Sequence, residues 1–182
     1  SLRSLNIVRK YLTYQCTEIV VHAFLTSRLD YCNALLYGLP KSLLQKLQRL
    51  QNTAARIIIR TKKHDHITPV LRSLHWLPVS ERITFKLLLT TYKALHGQAP
   101  DYLTELLHAH RPVRSLRSSD QYLLHVPRVN LATYGERAFC QSAPRLWNAL
   151  PLAVRQSGSV DSFKRNLKQY LFCKYYSVSF VS

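Results

Sequence analysis

The sequence is most informative first by what it lacks. It has no methionine and only four glycines in 182 residues. So little glycine leaves hardly any material for a phosphate-cradling loop, and neither a Walker A string nor a GxGxxG string occurs. Acids are scarce too, at nine Asp and Glu against 26 Lys and Arg. The four cysteines, Cys16, Cys32, Cys140 and Cys173, are far apart and form no CxxC pair. That spacing excludes a dense disulfide scaffold and points to reduced thiols in an intracellular compartment. No apolar run approaches the length of about 18 residues that a membrane span needs. A chain without an initiator methionine reads as a fragment or as a mis-predicted gene model.

The acids bear directly on catalysis. Two-metal polymerase or nuclease chemistry needs carboxylates converging on the ions. No two acids here are adjacent, and only Asp101 and Glu105 share a helical face. A lone pair without supporting ligands reads as surface charge on a short helix. His64-Asp65-His66 and His108-Ala109-His110 lack the second spaced Cys or His pair of a zinc site. Cys32 has no nucleophile signature and reads as a small buried hydrophobe. The sequence therefore carries no catalytic residue, metal ligand or cofactor site of its own.

What is present is positive charge on a framework able to fold. Hydrophobic residues make up 47% of the chain, enough for a core. The formal charge is +17, and such an excess repels itself unless an anion sits nearby. A clustered excess of this size is the footprint of a nucleic-acid binder, with an anionic membrane surface as the weaker alternative.

Periodicity places most of the chain on helices. Leu2, Leu5, Val8 and Leu12 recur at helical spacing, and a second helix runs from Thr17 to Leu29. The first fifteen residues are basic and acid-free, like a transit peptide, though an ordinary amphipathic helix is the better reading of them. The clearest helix opens at Pro40 and runs to Arg60, with Leu43, Leu47, Leu50, Ala54, Ile57 and Ile58 on one face. Lys46, Arg49, Arg56 and Arg60 gather opposite, and Lys62 and Lys63 follow. Segment 41–63 holds seven basic residues and no acid. Like charges at helical spacing destabilise, so a face of one sign points to an anionic partner.

A short helix, Ile67 to Leu74, is broken by His75-Trp76-Leu77-Pro78. The next helix runs from Pro78 to Leu95 and is almost encircled by apolar residues, with Gly97 as its stop. Arg82, Lys86 and Lys93 share its basic face. A further short helix covers Pro100 to His108. Residues 111–120 are basic and Ser-rich, a linker between a helical domain at 1–110 and a C-terminal region at 121–182. Within that region 121–129 and 131–139 read as a hairpin turning near Val129-Asn130. Ser159 caps a last helix to Lys174, which carries Lys164, Arg165 and Lys168 outward. The expected fold is mainly α: a helical bundle, then a small α+β region.

Longer strings carry a resemblance. TSRLDYCNALLYGLP at 26–40 and KLQRLQNTAARII at 46–58 resemble the thumb of LINE-type (non-LTR) retrotransposon reverse transcriptases of the jockey and chicken-repeat kind. So do HITPVLRSLHWLPVSERITFKLLLTTYKALHGQAPDYLTELL at 66–107, YGERAFCQSAPRLWNALP at 134–151 and SFKRNLKQYLF at 162–172. The resemblance covers nearly the whole chain in order. It implies an RNA-directed DNA polymerase whose metal-binding palm motif, of the Tyr/Phe-Ala-Asp-Asp type, has no counterpart here. It further implies thumb helices gripping RNA or an RNA–DNA duplex, with the palm and fingers of the parent polymerase as a protein partner and a nuclear or cytoplasmic location. Trp76 and Trp147 become core anchors. Lys46, Arg49, Arg56 and Arg60 become the expected backbone contacts, supported by Lys62, Lys63, Arg82, Lys86 and Lys93. The competing expectation is a structural or protein-interaction remnant whose basic faces are no longer used.

Overall fold

A computed structural model describes residues 2–110, 122–128 and 135–178. The fold is mainly α-helical, and the chain divides into two compact units. The first comprises Ser1–Ile83 with Tyr176–Ser182, the second Thr84–Tyr175. The division falls inside a helix, and the boundary expected at 110 lies within the second unit. The expected linker at 111–120 lies outside the described residues.

In the first unit, α1 (Leu2–Val8) runs into a 3-10 turn, Arg9–Tyr11. Thr13 then caps α2 (Tyr14–Val21), its side chain accepting from the Cys16 amide at 3.2 Å. The helix loosens into a π-type stretch, His22–Thr26, and closes as α3 (Ser27–Asp30). Cys32 follows at a positive φ of 50° and is exposed, not the buried hydrophobe its apolar neighbours suggest. All four cysteines are free thiols.

Helix α4 (Lys41–Ile59) is the axis of this unit, with α1, α2 and α5 (Ile67–Ser73) packed on it. Its ends match the sequence reading to one residue, because Pro40 cannot sit inside the helix and Arg60 leaves it with φ 59°. Its buried face is rotated from the expected one. Leu43 and Leu50 are exposed, whereas Gln51, Ala54, Ala55, Ile57 and Ile58 are buried. Two glutamines account for the shift. Gln51 Nε2 donates to the Leu77 carbonyl at 2.8 Å, and Gln48 Oε1 accepts the Val79 amide at 2.9 Å. Val79 opens α6 (Val79–Leu95), so Gln48 satisfies one of the amides that a helix start leaves without a partner. A polar stripe is thus inward-facing because it supplies what the following backbone lacks.

Helix α5 ends as a Schellman motif. His75, at φ 52°, donates its amide to Arg72, and the Trp76 amide reaches back to Leu71 at 2.9 Å. That turn drops Trp76 and Leu77 into the core, 4% and 5% exposed. Tyr176 closes over them, its hydroxyl donating to the Trp76 carbonyl at 2.7 Å.

The second unit is built around α6, which Gly97 ends as expected. Its φ is 65°, and the Gln98 amide returns to Lys93 at 2.8 Å. Past α7 (Asp101–Thr104) the described chain runs to residue 110 and resumes at 122–128. The expected hairpin partner of this stretch is only partly described, since 129–134 lie outside the described residues. Leu124 instead pairs with Ala109 in a single antiparallel bridge, and the Asn148 side chain holds both its amide and its carbonyl, at 2.9 and 2.8 Å. Residues 139 onward form α8 (Phe139–Asn148), a helix where the sequence suggested a strand end. Pro144 inside α8 is buried, as are Ala143 and Trp147 beside it, so packing outweighs the lost amide.

Helix α9 (Leu152–Arg155) and α10 (Val160–Val178) complete the unit. Ser159 caps α10 as expected, its hydroxyl accepting the Ser162 amide at 3.1 Å. The core is an aromatic stack. Tyr92 and Phe163 lie 4.3 Å apart with Trp147 at 5.9 Å from Phe163, and the Tyr92 hydroxyl is satisfied by the Ser157 carbonyl at 2.6 Å.

Candidate nucleic-acid interface

The basic face of α4 is solvent-facing along most of its length. Lys46 and Arg49 are exposed, Arg56 is half-buried, and Arg60, Lys62 and Lys63 are exposed beyond the helix end. The heads of Arg56 and Arg60 are held by main-chain oxygens instead of carboxylates. Arg56 Nη2 donates to the Asp65 carbonyl at 3.1 Å, and Arg60 Nη2 to the Leu12 carbonyl at 3.3 Å. The Asp65 carboxylate is engaged by the Lys62 amide at 2.8 Å. Carbonyl bonds fix a guanidinium in place yet leave its charge available.

The structure adds residues that helical spacing could not reveal. α1 lies along α4, and between them runs a cleft of about 620 Å³. Arg3, Asn6 and Arg9 line one wall, and Arg49, Asn52 and Arg56 the other, with Thr53, Thr61 and Lys63 also on its surface. It therefore has five cations on its lining and no acid. Among the described residues none of these five pairs with a carboxylate. Arg9 contributes from the 3-10 turn after α1, where its Nη1 also donates to the Ile57 carbonyl at 3.1 Å.

Arg82 departs from its expected role. Its Nη1 sits 2.8 Å from Asp30 Oδ2 and 2.9 Å from Oδ1, and its Nε donates to the Leu77 carbonyl at 3.1 Å. Only 16% of its side chain is exposed, and it lies over the Trp76 ring. Arg82 is a neutralised core brace of the first unit, spent on holding α3 against the start of α6. Lys86 is exposed and Lys93 half-buried, and both belong to the second unit. Lys164 is paired with Asp161 at 3.0 Å, while Arg165 and Lys168 are exposed. The basic segment 111–117 lies outside the described residues.

The second unit has its own cleft of about 670 Å³, lined by His96, Tyr122, Trp147, Arg155 and Ser157 among others. Burial pushes the Arg155 guanidinium below its ordinary range. Among the described residues no three His, Cys, Asp or Glu side chains stand close enough to hold a metal ion. No helix among them is long and apolar enough to cross a membrane.

No family model, no curated protein and no solved structure matches the chain.

Proposed function

We propose that the chain is a nucleic-acid-binding segment of a LINE-type RNA-directed DNA polymerase, its thumb and C-terminal region without the catalytic palm. In this reading it grips template RNA or an RNA–DNA duplex through phosphate contacts. The observation that carries it is the cationic surface of α4, acid-free from 41 to 63, on which Arg56 and Arg60 are oriented by carbonyls and keep their charge. Such a surface neutralises phosphates without reading sequence. The long strings at 26–40, 46–58 and 66–107 support the family; the electrostatics support the ligand class.

The test is binding of the purified chain to a labelled RNA–DNA hybrid across a salt series. Affinity is expected to fall steeply with salt, with a log–log slope of about −0.9 per phosphate contacted. Reversing Lys46, Arg49, Lys62 and Lys63 to Glu, which removes no carbonyl brace, is expected to flatten that slope by about 3 to 4. A folded variant with unchanged affinity and slope would sink the proposal.

A second reading is favoured by a different observation. The first unit leaves Ile19, Phe24, Tyr31 and Leu35 between 67% and 82% exposed. Clustered apolar exposure marks protein-contact surface. A remnant or interaction module with idle basic faces would give a folded protein that ignores the hybrid even at low salt.

A further inference from the structure

We infer that the cleft between α1 and α4 is a pocket for the phosphates of a single strand, taking one to three nucleotides that a paired duplex cannot present. The inference rests on the nucleic-acid reading above and narrows it to a second, distinct mode of contact at that surface.

Size is the first reason. A cleft of about 620 Å³ falls in the range of roughly 300–1,000 Å³ that encloses a drug-sized molecule. A duplex can only lie across its rim, whereas an unpaired strand can enter. Chemistry is the second. The lining pairs five cations for phosphate with Asn6, Asn52, Thr53 and Thr61, which can serve sugar hydroxyls and base edges. Asn52 is already oriented, because its Oδ1 accepts from Gln48 Nε2 at 2.8 Å and leaves its amino group to donate.

The third reason is independent of charge. Arg56 Nε and Thr61 Oγ1 are buried, have no hydrogen-bond partner among the described residues, and both belong to residues lining this cleft. Buried polar atoms are almost always satisfied, so two such atoms on residues of one cleft leave room for a partner from outside the chain. A phosphate oxygen accepts from the first, and a phosphate or sugar hydroxyl serves the second. Arg3 and Asn6 add to this: both are exposed, and neither side chain has a hydrogen bond or ion pair among the described residues. They hold nothing in the protein and are available to hold something else.

The experiment uses the full chain and two probes, a 5′-phosphorylated uridine trinucleotide and the RNA–DNA hybrid, titrated by calorimetry or fluorescence at fixed salt. The trinucleotide is expected to bind with one-to-one stoichiometry. The double variant Arg3→Ser with Asn6→Ala is expected to weaken it by about tenfold or more, the scale of one lost charge-assisted contact. The same variant is expected to weaken binding of the hybrid clearly less than that of the trinucleotide, since neither side chain is on the exposed face of α4 and a duplex meets only the rim of the cleft. A trinucleotide that fails to bind while the hybrid binds overturns the pocket and leaves the proposed function standing. Trinucleotide binding that is indifferent to Arg3 and Asn6 also overturns it. Failure of both probes overturns both. Circular dichroism of the variant confirms that its fold is retained, as expected for two exposed residues without partners.

Discussion

Arg9 and Arg60 cross-brace the segments they come from: each guanidinium bonds main-chain carbonyls of the other's stretch of chain. Arg9 Nη1 donates to the carbonyls of Arg56 and Ile57, at 3.4 and 3.1 Å, near the end of α4. Arg60 Nη2 returns to the carbonyls of Arg9 and Leu12, at 3.5 and 3.3 Å. Two like charges thereby brace one another's segments with no carboxylate between them. The carbonyls at a helix C-terminus attract cations, which offsets part of the repulsion.

Replacing Arg9 by Gln therefore removes a C-terminal partner of α4 as well as a cation. The expected cost is about 1–2 kcal/mol, the scale of charge-assisted bonds to partly exposed carbonyls. Amide exchange is expected to accelerate in the last turn of α4 before it does elsewhere. Exchange that rises uniformly over the first unit would show that the brace is not local.

Arg82 and Asp30 separate stability from binding. Arg82→Ala leaves Asp30 without its cation and Leu77 with one donor fewer. A loss of about 1–2 kcal/mol is expected by thermal or urea unfolding, since the carboxylate is half-exposed and partly rehydrated. Hybrid affinity of the folded variant is expected to stay within about twofold, because the charge of Arg82 is already neutralised. A large affinity loss with unchanged stability would return Arg82 to the interface.

Gln51 is buried in α4, yet it is not a flaw in the core. Gln51→Leu removes the bond to the Leu77 carbonyl and the acceptor used by Gln48 Nε2 at 3.0 Å. Despite the gain in hydrophobicity, destabilisation of about 1–2 kcal/mol is expected, seen as a lower urea midpoint. Leu77 keeps its bond from Arg82 Nε, which limits the effect. A variant more stable than the parent would contradict the role assigned to this polar stripe.

Gly97 isolates a backbone effect. Its φ is 65°, and a Cβ built there meets nothing within 4 Å. Gly97→Ala should therefore cost only the left-handed conformation, about 1–2 kcal/mol. The midpoint of urea unfolding reads this directly. An unchanged midpoint would mean that the turn after α6 relaxes to another conformation at no cost.

Much of this architecture is legible from local sequence. Pro40, Pro78, Gly97 and Ser159 mark helix ends because caps and breakers act within a few residues. Trp76 and Trp147 are buried as expected, 4% and 1% exposed. What was not legible depends on distant partners. The inward turn of Gln48 and Gln51 needs backbone groups some thirty residues away, and the neutralisation of Arg82 needs Asp30, 52 positions earlier. α8 was obscured because Pro144 argues locally against a helix, whereas its burial beside Trp147 favours one. Lys46, Arg49 and Arg56 were readable as a charged face from periodicity alone. The cleft was not, because Arg3, Asn6 and Arg9 join it only when α1 packs on α4.

The bond from Tyr176 to the Trp76 carbonyl spans 100 positions. During vectorial synthesis the ribosome adds about 5–20 residues per second, so Trp76 waits roughly 5–20 s for that partner. Through this interval the first unit must keep its tryptophan turn without the tyrosine that covers it. The nascent chain is therefore most open to chaperones, or to mispairing with another copy, just before α10 emerges.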